Sequence, residues 1–67
     1  MIITINGDTR EFNSPLTVTE LLKALDLESQ LVLVERNLQI VERDDMAETQ
    51  VTDGDAFEIL KVVGGGS

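Results

Sequence analysis

A single α+β domain, one short helix laid across a mixed sheet of about five strands, is the fold this sequence predicts. Three stretches carry that expectation. Asn6-Gly7 separates two short runs of strand character. Thr17-Val18-Thr19-Glu20 opens an apolar stripe with helical spacing, and Phe57-Glu58-Ile59-Leu60-Lys61-Val62-Val63 runs straight into Gly64-Gly65-Gly66-Ser67.

Met1 to Ile5 is rich in β-branched residues, and Thr9-Arg10-Glu11-Phe12 reads as its returning partner. Asn-Gly between them is the strongest two-residue hairpin signal, because both turn positions of a type I′ hairpin need positive φ. Ser14-Pro15-Leu16 breaks the sheet pattern. Thr17 and Glu20 then match a capping box, in which the threonine hydroxyl and the glutamate carboxylate satisfy each other's backbone N–H groups. Val18, Leu21, Leu22 and Leu25 fall at i, i+3, i+4 and i+7, one apolar stripe on a helix ending near Asp26. A helix of about nine residues does not persist alone in water, so it must lie on a sheet.

Leu31-Val32-Leu33-Val34 is apolar at alternate positions of both parities. It fits a buried central strand, or one with a face on the helix and a face open to a partner. Asn37-Leu38-Gln39 is expected to turn, with Ile40-Val41 continuing as a short strand. Arg43 to Met46 suits a loop or one helical turn, Glu48 to Val51 another short strand, and Asp53-Gly54-Asp55 a tight turn. The last strand is expected over Ala56 to Val63, central and beside the first because it is the most continuously apolar. Hairpin, helix and three further strands in this order describe a β-grasp, ubiquitin-like roll over residues 1–63, with residues 64–67 as a flexible glycine-rich tail.

Glycine lacks a Cβ, so such a tail can thread a narrow slot, and three extended residues reach roughly 10 Å. The tail suits either delivery of a terminal carboxylate into another protein's active site or a mere flexible linker. Composition narrows the chemistry. With no cysteine and no histidine among 67 residues, thiolate nucleophiles, a serine triad and the commonest metal ligands are missing. Two phenylalanines are the only aromatic residues, and the net charge is −8, which argues against nucleic acid. Asp53-x-Asp55 supplies two carboxylates without the spaced ligands of a calcium loop, so a structural turn is expected there and no metal. Gly64-Gly65-Gly66 has neither the lysine nor the following helix of a phosphate loop. No apolar stretch approaches the length of a membrane span and no signal peptide is visible, so a soluble, cytoplasmic protein without a membrane partner is expected. A domain with no internal chemistry and a glycine end suits a group carrier acted on by partner enzymes, rather than an enzyme.

Over essentially its whole length the chain resembles the ThiS family, the small ubiquitin-like sulfur carriers of bacterial thiamine biosynthesis within the ThiS/MoaD superfamily. The matching segments are Met1-Ile2-Ile3-Thr4-Ile5-Asn6-Gly7, Thr17 to Leu22, Val34-Glu35-Arg36-Asn37-Leu38-Gln39-Ile40-Val41, Val51-x-Asp53-Gly54-Asp55-x-Phe57-Glu58-Ile59, and Val62-Val63-Gly64-Gly65-Gly66. The resemblance implies that an E1-like adenylyltransferase of the ThiF type uses ATP to adenylate the carboxylate of Gly66, with Gly64 and Gly65 as the approach. It implies further that a sulfur donor such as a cysteine desulfurase forms the thiocarboxylate, and that a thiazole synthase of the ThiG type receives the sulfur. No cofactor is expected on the chain itself. One departure matters: Ser67 follows Gly66, and an amide there cannot be adenylated. The carrier role requires Ser67 to be removed or foreign to the natural chain; retained, it makes the chain inactive as a carrier.

Two other readings compete. One is a carrier delivering sulfur to molybdopterin or cysteine synthesis; the other is a non-covalent ubiquitin-like binding module. Such a module would use an exposed sheet face, for which Val32, Val34, Phe57, Ile59 and Val63 are the candidates.

Overall fold

Asn6 and Gly7 both take positive φ, 51° and 88°, and this reverses the chain between β1 (Ile2–Ile5) and β2 (Asp8–Glu11). The computed structural model describes residues 1–62. Thr17 caps α1 (Val18–Ala24), its hydroxyl accepting from the Glu20 N–H at 3.2 Å while Glu20 Oε1 accepts from the Thr17 N–H at 2.8 Å. The helix stops at Leu25, and Asp26 turns away with φ 61°. A 3-10 turn over Ser29–Leu31 leads into β3 (Val32–Arg36), which pairs with the two-residue β4 (Gln39–Ile40). A second 3-10 turn spans Arg43–Asp45, and β5 (Ala56–Lys61) closes the described chain.

The sheet order is β2-β1-β5-β3-β4. β5 is central, parallel to β1 and antiparallel to β3, while the other neighbouring pairs are antiparallel. Val18, Leu21 and Leu22 of α1 join Ile3, Ile5, Val32, Val34, Phe57 and Ile59 of the sheet in one buried cluster. Met46 and Val51 close it from the loops. This is the β-grasp arrangement expected from the hairpin, the capped helix and the apolar last strand.

Several boundaries differ from expectation: β2 spans Asp8–Glu11 rather than Thr9 to Phe12, and β3 spans Val32–Arg36 rather than residues 31–34. Glu48 to Val51 forms no strand of the sheet; only Gln50 makes an isolated antiparallel bridge, to Thr17. The Val18 N–H to Thr49 and Val51 N–H to Leu16 bonds fasten this segment to the helix start instead. β4 begins at Gln39 rather than Ile40, because Asn37 and Leu38, with φ 52° and 72°, complete the reversal in two residues. β5 ends at Lys61, and the expected strand residue Val63 lies outside the described residues.

Candidate functional site

The last strand outruns its parallel neighbour. β1 ends at Ile5, paired with Phe57, yet β5 continues to Lys61. The Asn6 side chain takes over where β1 stops: its Oδ1 accepts from the Ile59 N–H at 2.8 Å and its Nδ2 donates to the Ile59 carbonyl at 3.1 Å. An amide has one donor edge and one acceptor edge, so it substitutes for one residue of strand backbone. On the other side the Val62 N–H donates to the Leu31 carbonyl at 2.9 Å. The strand is therefore held on both flanks near its end. Val63, expected in the last strand and on the partner face, and the expected tail, Gly64, Gly65, Gly66 and Ser67, lie outside the described residues.

The expected partner face is corrected by the register. Val32, Val34, Phe57 and Ile59 are each less than 8% exposed and point into the helix-facing core. The apolar runs 31–34 and 56–63 offered two candidate parities, and the helix covers this one. Residues opposite each other in an antiparallel pair share a face, so Val34 with Ile59 lies inward while Leu33 with Leu60 and Glu35 with Glu58 lie outward. Ile40, opposite Glu35, joins them, 55% exposed, as do Leu60 at 52% and Val62 at 53%. Glu58 was the signal available beforehand. A charge between Phe57 and Ile59 marks the parity that faces water.

The buried carboxylate Asp55 sits at the opposite end of β5, 5% exposed. It accepts from Thr52 N–H at 2.8 Å, Arg36 Nε at 2.9 Å and Asn37 Nδ2 at 3.1 Å. Burial pushes its carboxyl up, but the Thr52 backbone, the Asn37 amide and the Arg36 guanidinium outweigh that and hold it below the ordinary value. Asp53 spends Oδ1 on the Ile2 N–H at the head of β1. Both carboxylates of the 53–55 turn are thus structural ties between strand ends, and among the described residues no three metal-ligating side chains gather. A concavity of about 370 Å³ beside Met1, Phe12, Pro15 and Val51 lies at the head of β1, the far end from where β5 stops. The described residues hold β5 near its end from both flanks, through Asn6 and Leu31.

The sequence profile of the ThiS family matches residues 3–66. All 67 residues align at 46% identity with a thiazole synthase of Paramagnetospirillum magneticum, and the chain spans 21% of that protein's length. The sulfur carrier protein ThiS of Bacillus subtilis is 40% identical over 50 residues, 75% of this chain and 76% of that protein. The crystal structure of a thiamine biosynthesis protein (ThiS) from Geobacter metallireducens has a TM-score of 0.85 at 42% identity, covering 98% of this chain and 100% of that one. No helix among the described residues is long and apolar enough to cross a membrane.

Proposed function

The chain belongs to the ThiS family, and from that membership we propose that it is a cytoplasmic sulfur carrier of thiamine thiazole biosynthesis. Partner enzymes perform the chemistry on it. An E1-like adenylyltransferase lets the Gly66 carboxylate attack the α-phosphate of ATP and expel pyrophosphate, turning a poor acyl group into a reactive acyl adenylate. The persulfide of a sulfur donor such as a cysteine desulfurase then displaces AMP, and a thiol reduces the resulting acyl disulfide to free the thiocarboxylate. Thiazole synthase takes the sulfur. Gly64 and Gly65 carry no side chain to obstruct a closing active site, which must exclude water from the acyl adenylate.

The observation that carries this reading is that the family match covers residues 3–66, Gly66 included. The clamp on Ile59 and the bond at Val62 add support, since a cargo end needs a rigid base. The relationship to a thiazole synthase over the full length of this chain favours thiamine over the sibling pathways.

The test is an intact mass after incubation with ATP, an adenylyltransferase of the ThiF type and a sulfide source. A form ending at Gly66 is expected to exchange one oxygen for one sulfur, whereas the form retaining Ser67 is not. An unchanged mass for the Gly66 form sinks the carrier reading and leaves a non-covalent binding module.

A further inference from the structure

β2 is an edge of the sheet, and all four of its residues, Asp8 to Glu11, are exposed. The bonds beside it fix which of its backbone groups are free. The Phe12 N–H donates to the Met1 carbonyl at 2.9 Å, and the Met1 ammonium donates to the Phe12 carbonyl at 2.6 Å. Antiparallel pairs alternate between bonded and non-bonded, so Arg10 with Ile3 and Asp8 with Ile5 are the next bonded pairs. The N–H and C=O groups of Thr9 and Glu11 therefore point away from β1, and among the described residues nothing meets them. Asp8 and Arg10 share the other parity, opposite the buried Ile5 and Ile3. Among the described residues they form no ion pair, with each other or with any third group.

We propose that this edge pairs with the same edge of a second copy of the chain, antiparallel, about a two-fold axis at Thr9. Outward backbone groups must meet outward ones, which leaves registers centred on Asp8, Thr9, Arg10 or Glu11. Centring on Asp8, Arg10 or Glu11 sets that charged residue against its own copy, a destabilising arrangement. Centring on Thr9 sets Asp8 against Arg10 of the second copy and Arg10 against its Asp8. The two threonines then exchange both backbone bonds, and the charged pairs fall at non-bonded positions, where Cα atoms come within about 4.5 Å. The self-complementary order Asp-Thr-Arg thus selects both the occupant and the register. Two five-stranded sheets become one, with β1 between the seam and each β5. The net charge of −8 on each copy opposes association. At about 0.15 M salt, however, a Debye length of about 8 Å screens remote charges far more than facing ones. A seam of four residues a side supports a weak dimer, with a dissociation constant on the order of 1 mM.

The test is a dilution series of the full chain from about 2 mM to about 0.05 mM, with translational diffusion and backbone amide shifts read by NMR. Diffusion is expected to slow as concentration rises, and the largest shifts are expected at the amides of Thr9 and Glu11. Asp8→Arg and Arg10→Asp each place like charges across the seam and are expected to weaken association at least about tenfold. Both side chains are exposed, so Tm is expected to stay that of the parent. An equimolar mixture of the two variants restores opposite charges at both positions and is expected to recover the association of the parent. Diffusion of the parent that is independent of concentration overturns the proposal. So does association of either single variant equal to the parent's, a mixture that fails to recover it, or shifts centred on the β3–β5 face.

Discussion

Asp55 shows what one buried charge does in so small a domain. In the folded chain its carboxyl lies below the ordinary value of 3.8, which it regains on unfolding. Between the two values the unfolded chain binds the extra proton, so stability rises with pH across that window. The contribution is complete above the unfolded value and is lost as pH falls through the folded one. Urea midpoints measured from about pH 5 down to about pH 2 are therefore expected to fall more steeply for the parent than for Asp55→Asn. At neutral pH, Asp55→Ala is expected to cost about 2 kcal/mol; it strips the Thr52 N–H and the Asn37 amide of their acceptor, while Arg36, 31% exposed, regains water. Leu38 is the converse case, a residue whose position is costly. It holds φ 72° and is 89% exposed, so it bears left-handed strain without packing in return. Leu38→Gly is expected to stabilise the domain by about 0.5 kcal/mol, the relief of strain being partly offset by the freedom glycine gains in the unfolded chain. Denaturant unfolding of the two chains decides it.

At the scale of elements, α1 has seven residues and owes its existence to its cap and to the sheet beneath it. Both reciprocal bonds of the capping box form, and the same threonine bridges to Gln50. Thr17→Ala is expected to cost about 1 kcal/mol and to lower Tm by about 4–8 °C, read by thermal unfolding. On its β1 flank, β5 depends on the Asn6 side chain for its last pairing, at Ile59. Asn6 was legible as a turn residue, since Asn-Gly needs positive φ twice. Its second role was not legible, because Ile59 lies 53 positions away and no local pattern announces such a contact.

Across the whole molecule, every buried apolar residue among those described lies between Ile3 and Ile59. The proposed carrier role thus assigns stability and cargo to different parts of the chain. A domain of this size has only a few kcal/mol to spare, so that separation has a measurable consequence. Deleting residues 63–67 is expected to leave Tm unchanged and to abolish thiocarboxylate formation, as read by thermal unfolding and intact mass. A marked fall in Tm would show that the end of the chain belongs to the fold.

The sequence by itself determined the first hairpin, the capped helix, the central last strand and the lack of cysteine and histidine. Those follow from local rules: backbone φ at Asn-Gly, reciprocal capping at Thr17 and Glu20, apolar periodicity, and residue types that are simply missing. Glu58 marked the outward parity of β5 in the sequence, but only the tertiary structure decided which parity of β3 the helix covers. A side-chain period of two leaves both faces of an apolar strand eligible, and the choice is made by what packs across it. That choice buries Val32, Val34, Phe57 and Ile59 and turns Leu33, Glu35, Glu58 and Leu60 outward. The facing glutamates exist as a pair only because the antiparallel register brings together residues 23 positions apart.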